Sequence, residues 1–199
     1  VDSVLEIVNQ LLIKQEATIV YKPSFKNAGV IVLYLFIYSV SVYAQEQLNE
    51  HMQFLRPYVH KTWKGIFVDS TAAKPMYDVS SWERALNGQA VRILHSVDNG
   101  EYGGETIIYW DKTKQSVVYY YFTTAGFYTS GTMKAEGDAV ISHEYVTGNQ
   151  NGITEVRSTT RLLPDGKMRA EAEFLQNGKW IPGHTIVYTE DATAKVIFK

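Results

Sequence analysis

Met168-Arg169-Ala170-Glu171-Ala172-Glu173-Phe174 alternates apolar and charged side chains at every step. In an extended chain, successive side chains point to opposite faces. Met168, Ala170, Ala172 and Phe174 therefore share one face, and Arg169, Glu171 and Glu173 share the other. The charged face meets water. The apolar face lines an interior, and its two alanines leave space there. Gln176-Asn177-Gly178 follows directly and suits a tight reversal. A second period-two run then begins at Lys179.

The same grammar extends back to Trp63. Turn signals recur at Asn87-Gly88, Asp98-Asn99-Gly100, Asp111-Lys112-Thr113-Lys114, Glu136-Gly137-Asp138, the stretch 148–152, and Pro164-Asp165-Gly166. Between them lie runs rich in Val, Ile, Thr, Tyr and Phe. These predict strands near 62–68, 76–86, 89–97, 104–111, 115–123, 126–135, 138–147, 153–163, 167–176 and 179–189, with a further short one at 194–198. No helical stretch is long enough for a parallel crossover, so consecutive strands pair antiparallel. The expected fold is all-β: an antiparallel up-and-down barrel of about ten strands, whose closure removes exposed edges. Ahead of it, Leu48, Met52 and Leu55 fall on one helical face and Pro57 ends the segment. This predicts one short N-terminal helix over 47–56.

The chain has 199 residues, of which 45% are apolar and 20% charged, with a formal net charge of −2. That is enough apolar material for one self-standing core. The absence of cysteine excludes a disulfide framework, a thiol nucleophile and thiolate metal sites. The near-neutral charge gives no electrostatic reason to expect nucleic acid.

The uncharged run 28–44, Ala-Gly-Val-Ile-Val-Leu-Tyr-Leu-Phe-Ile-Tyr-Ser-Val-Ser-Val-Tyr-Ala, departs from this composition and follows Lys22 and Lys26. It falls short of the ~20 apolar residues that span a bilayer. Small side chains at Val42 and Ala44, followed by Gln45, fit a signal-peptidase site. We read 28–44 as a signal peptide, with a short membrane anchor or a buried helix as the alternatives. Residues 1–27 form an upstream extension outside the fold, and 45–199 form a single barrel domain. The expected location is periplasmic or secreted, with no membrane span in the mature chain.

Three of the five histidines alternate with apolar residues. His95 does so with Val91, Ile93 and Val97, His143 with Ile141 and Tyr145, and His184 with Ile186 and Tyr188. If those faces turn inward, the imidazoles could meet a ligand, a metal or haem iron. Tyr119, Tyr121, Phe127, Tyr128 and Tyr145 could line a pocket for a flat or amphipathic molecule. Glu105 sits at a strand start beside Gly103-Gly104, where the backbone can approach a bound group closely. Arg92, Arg157 and Arg161 lie on strands, and one of them could cover Trp63 at the barrel end. Val117-Val118-Tyr119-Tyr120-Tyr121-Phe122 is apolar on both faces. Its outer face needs a cover: the helix, a loop or a second copy of the chain in a homodimer. No Gly-x-Ser-x-Gly elbow, no His-Glu-x-x-His metal motif and no phosphate loop is present.

A helix, then Lys61-Thr62-Trp63-Lys64-Gly65, then an antiparallel meander resembles the calycin superfamily: lipocalins, fatty-acid-binding proteins and nitrobindin-type haem barrels. The resemblance implies that Trp63 plugs one barrel end. The nitrobindin-like pattern has glycine two residues on either side of the tryptophan. Gly65 matches the second, and Lys61 replaces the first. In those barrels the iron-binding histidine comes late in the chain, which makes His184 the comparable position. In texture, Gly103-Gly104-Glu105-Thr106-Ile107-Ile108-Tyr109-Trp110-Asp111, Tyr119-Tyr120-Tyr121-Phe122 and Gly131-Thr132-Met133 are similar to secreted bacterial lipocalin-like proteins of unknown function.

The leading expectation is a binding module that holds a small hydrophobic or amphipathic molecule inside the barrel, with no catalytic residue and no required cofactor or metal. Its candidate ligand contacts are Trp63, His95, Glu105, Tyr119, Tyr121, Phe127, His143, Tyr145 and His184. One alternative is a haem or metal barrel using His184 or His143. Another is a hydrolase or isomerase using Glu105 and a nearby histidine. A last one is an interaction protein using the two-sided apolar strand.

Overall fold

The computed structural model describes residues 47–148 and 151–199. The stretches 1–27 and 28–44, for which an upstream extension and a signal peptide are expected, lie outside the described residues.

Ten antiparallel strands close into a barrel in simple sequence order. They are β1 (Lys61–Phe67), β2 (Tyr77–Ala85), β3 (Ala90–Val97), β4 (Tyr102–Asp111), β5 (Ser116–Thr123), β6 (Tyr128–Glu136), β7 (Ala139–Thr147), β8 (Ile153–Leu162), β9 (Met168–Gln176) and β10 (Lys179–Glu190). β1 pairs with β2 on one side and with β10 on the other, so the last strand returns to the first. The hairpins after β2, β3, β4, β6, β7, β8 and β9 fall at the expected turn signals, while those after β1 and β5 lie where no turn signal was singled out. At Asn177-Gly178 both residues take positive φ (52° and 74°), a backbone that asparagine and glycine tolerate best.

Two expected elements differ. The N-terminal helix is a 3-10 helix, Glu50–Leu55, with Asn49 capping it through its side chain. The segment 194–198 is not a strand. It lies as an irregular tail against β3 and β4: Ile197 N–H donates to Ser96 Oγ at 3.0 Å, and the Phe198 ring rests over Gly103.

The two ends of the barrel are built differently. At the end where β1 starts, the 3-10 helix lays Met52 and Leu55 over the opening, and both are fully buried. Beneath them pack Trp63, Val91, Ile108, Val117, Val140 and Met168. Trp63 is 0% exposed and donates its indole N–H to the Tyr58 carbonyl at 3.3 Å. His51 stacks on Trp110 at the same end, with ring centroids 3.7 Å apart. This end is a filled core, held by area removed from water. The lysine that departs from the nitrobindin-like pattern has a place here, since Lys61 Nζ lies 5.2 Å from the Trp63 ring centroid. The cation over Trp63 is therefore that lysine, not an arginine. Arg92 pairs instead with Glu105 and Glu83, and Arg157 stacks on Trp180 at 3.9 Å.

On β9, Met168, Ala170, Ala172 and Phe174 face inward and Arg169, Glu171 and Glu173 outward, as the alternation requires. Met168 is buried in the filled end, and Phe174 lines the opposite end. The outer face of β5 remains bare: Tyr120, Phe122 and neighbouring Tyr128 form an aromatic row on the wall, which neither the helix nor the tail covers.

Candidate functional site

The end opposite the 3-10 helix is hollow. A cavity of about 430 Å³ opens there, walled by Tyr102 of β4, Tyr121 of β5, Thr129 of β6, Glu144 of β7, Val156 of β8, Phe174 of β9 and His184 of β10. Phe127, in the loop after β5, completes the aromatic lining. The wall is mainly apolar, with a few convergent polar groups, which is the usual make-up of a small-molecule site. A cleft of similar size, about 420 Å³, lies between β1–β3 and the tail. Lys64, Asp98, Asp191 and Lys195 line it beside Tyr77, Val79 and Ile197, so charged groups of both signs share its wall with apolar ones.

Strand alternation explains the wall. Tyr102, Gly104, Thr106, Ile108 and Trp110 share the inner face of β4, and Gly104 pairs with Thr123. With no side chain of its own, Gly104 leaves the space that the Tyr121 ring occupies. On β10 the alternation would place His184 outside together with Trp180 and Pro182. A bulge between Pro182 and Thr185 adds one residue and reverses the faces. His184 therefore turns inward and sits edge-on to Phe67 and Phe174, at centroid distances of 5.2 and 5.4 Å. Its imidazole makes no hydrogen bond to any other described residue.

Between the filled end and the cavity runs a buried polar chain. The Tyr188 hydroxyl donates to Asp78 Oδ2 at 2.8 Å. Asp78 Oδ1 meets His95 Nδ1 at 2.8 Å, and His95 Nε2 meets the Tyr121 hydroxyl at 2.7 Å. Tyr121 is bonded in turn to the Tyr102 hydroxyl at 2.8 Å, on the cavity wall. The chain satisfies its own polar atoms, as a buried network must. Its proton order depends on His95: a neutral ring protonated on Nδ1 accepts from Tyr121, and an imidazolium donates to it. Burial is the main cause that raises the pKa values of Tyr102, Tyr121 and Tyr188, so all three phenols stay protonated.

Glu144 is the carboxylate of the cavity. It accepts from Thr129 Oγ1, and Tyr119 also bonds to it. Removal from bulk water raises its pKa, outweighing those hydrogen bonds and the attraction of His143. Tyr119 is pushed well above the usual phenol range, chiefly by burial.

Of the residues singled out from sequence, Tyr121, Phe127 and His184 line the cavity. His95 and Tyr119 stand just behind its wall, and Trp63 lies in the filled end. Three others are placed otherwise. Glu105 faces outward and is bound by Arg92 Nε at 2.8 Å. It lies on the opposite face from His95 and His184, which removes the pairing that the hydrolase or isomerase alternative invoked with either of them. His143 and Tyr145 also face outward: His143 Nε2 meets Glu155 Oε2 at 2.7 Å, and Tyr145 is 57% exposed. The reason is local. On β7 both faces are mixed, and the inner one is Val140, Ser142, Glu144 and Val146. Alternation alone could not show that a glutamate, and not the neighbouring histidine, turns into the barrel. The three histidines are therefore not brought together, and no cluster of His, Asp and Glu suited to a metal ion occurs among the described residues. Sequence reasoning passed over Asp78, Tyr102, Glu144 and Tyr188. For Glu144 a signal existed in the regular spacing to Ser142 and Val140, but it was weaker than the Ile141-His143-Tyr145 pattern.

Fold and site together define a closed ten-stranded antiparallel β-barrel with one sealed end and one cavity-bearing end, an architecture compatible with ligand binding. Among solved structures it is similar to the crystal structure of Rv2717c from M. tuberculosis, with a TM-score of 0.54 and 12% identity over 72% of this chain and 99% of that one. That likeness is one of fold. No protein-family model matches the sequence, and no curated protein matches it. No described helix is long and apolar enough to cross a membrane.

Proposed function

We propose that the barrel is a lipocalin-like binding module that holds a small hydrophobic or amphipathic molecule, without turnover, in the cavity between Tyr102 and His184. The supporting observation is the cavity itself: about 430 Å³, open at one end, and walled by Phe127, Val156 and Phe174 with a few polar groups. Such a volume and lining suit a ligand with an apolar body and one polar end. The filled core at the other end gives the cavity a rigid floor. Native mass spectrometry of the purified chain and displacement of the neutral dye N-phenyl-1-naphthylamine test the reading. A lipophilic adduct or displaceable dye is expected; a chain that takes up neither overturns it.

A second reading is a haem barrel. Of the two histidines considered for it, only His184 fits, because its imidazole is on the cavity wall without a hydrogen bond to another described residue. His143 is bound to Glu155 on the outside. His184 would hold the iron, and Phe67 and Phe174 would orient its ring; the iron would supply gas-binding or redox chemistry. Addition of haemin should then produce a Soret band that H184A abolishes. Equal haem uptake by H184A defeats this reading.

Export rests on 28–44, and the small residues Val42 and Ala44 ahead of Gln45 support it. N-terminal sequencing of the protein from a secreting host should begin at Gln45, and an uncut, cell-retained chain would overturn export.

A further inference from the structure

The charge pattern of the cavity narrows its ligand. Among the described residues that line it, none is lysine or arginine. A barrel that takes fatty carboxylates needs a buried cation to meet the head group, since an unpaired charge is costly away from water. Here the wall supplies the opposite sign. Glu144 points inward from β7, and its hydrogen bonds from Thr129 and Tyr119 leave further lone pairs on its two oxygens. The rings of Tyr102, Tyr121, Phe127 and Phe174 line the same cavity, and aromatic rings attract cations through their quadrupole.

We propose that the cavity selects an amphipathic amine: an ammonium head at Glu144, and an alkyl or aryl body against Phe127, Val156 and Phe174. This rests on the ligand-binding reading above and specifies its substrate class. An ammonium group brings three donors and a full charge to a carboxylate beside which the described cavity lining holds no lysine or arginine. Bound there, it favours the ionised form of Glu144, which burial otherwise disfavours. Binding and Glu144 deprotonation are therefore linked, and affinity falls on acidification.

The other titratable groups act consistently with this. His184, on β10, also faces the cavity. His143 lies outside β7 and is already paired with Glu155. Tyr102, Tyr119 and Tyr121 remain neutral throughout.

The experiment compares three probes of equal chain length on the full chain: decylammonium, decanol and decanoate, each displacing N-phenyl-1-naphthylamine. Decylammonium is expected to bind at least ~10-fold more tightly than decanoate, the range of a charge-assisted hydrogen bond. E144Q should lower decylammonium affinity ~10-fold. E144D, which keeps the charge, should retain the order of the three probes and guards against a folding defect in E144Q. Decanoate binding as tightly as decylammonium overturns the amine assignment and leaves the ligand-binding reading standing. So does a folded E144Q that keeps full decylammonium affinity. Failure of all three probes to displace bound dye overturns the amine assignment, and a chain that takes up neither dye nor probe overturns both.

Discussion

The hydroxyl of Tyr188 donates to Oδ2 of Asp78 at 2.8 Å, and 110 residues separate the two along the chain. The bond joins β10 to β2 across β1, just where the barrel closes. Asp78 is 3% exposed and also holds His95. D78A would leave the Tyr188 hydroxyl and the His95 N–H without partners in the interior. The expected loss is about 2–4 kcal/mol, read from urea denaturation. Y188F removes only one donor and should cost about 1–2 kcal/mol. Equal stability of D78A and the parent would show that the chain does not help to close the barrel.

Glu144 makes stability depend on pH. Burial raises its pKa in the folded state, so the fold binds this proton more tightly than the unfolded chain does. The stabilisation from that proton is complete below the unfolded carboxyl range. It is lost as pH rises through the folded pKa, so above the unfolded carboxyl range burying Glu144 is a cost. E144Q should therefore melt at a higher temperature than the parent at pH 7, with the difference shrinking on acidification. A thermal scan across that range checks both the sign and the trend.

Gly104 couples the backbone to the polar chain. A methyl group there would run into the Tyr121 ring and the Phe122 carbonyl. G104A should displace Tyr121 from His95 and cost about 1–3 kcal/mol or more. By contrast, Gly137 has open space around it, so G137A meets only the strain of its positive φ (61°). Tyrosine fluorescence and denaturant midpoints of the two variants separate packing from backbone effects.

The two outlying histidines separate the faces of the wall. H143A breaks a part-exposed pair with Glu155 and should cost no more than about 1 kcal/mol, with no change in ligand uptake. H184A changes the cavity wall itself and should alter dye affinity measurably. A ligand-binding defect in H143A larger than that in H184A would mean that the ligand lies elsewhere.

The sealed end carries the stability. Trp63 is fully buried under Met52 and Leu55, and W63A should cost about 3–5 kcal/mol, observed as a fall in the chemical midpoint.

How far the residues could be read in advance depended on how uneven their two faces were. On β9 one face is charged and the other apolar, so the inward set could be read directly. On β7 and β4 both faces mix polar and apolar groups. The inward turn of Glu144 and the outward turn of Glu105 then follow from register with neighbouring strands, which no local pattern encodes. His184 was singled out because it alternates with Ile186 and Tyr188, and that alternation holds. The bulge that sets it apart from Trp180 and Pro182 is a property of the paired strands.

By itself, the chain's alternation and its turn residues determined antiparallel strands and their order, because both are local preferences repeated at short range. Only the tertiary structure decided that one end fills and the other stays hollow. It alone brought Asp78, His95, Tyr121, Tyr102 and Tyr188 into one hydrogen-bonded chain and turned a carboxylate into the cavity. Those outcomes depend on closure: which strands meet, and in what register, sets which side chains share the interior.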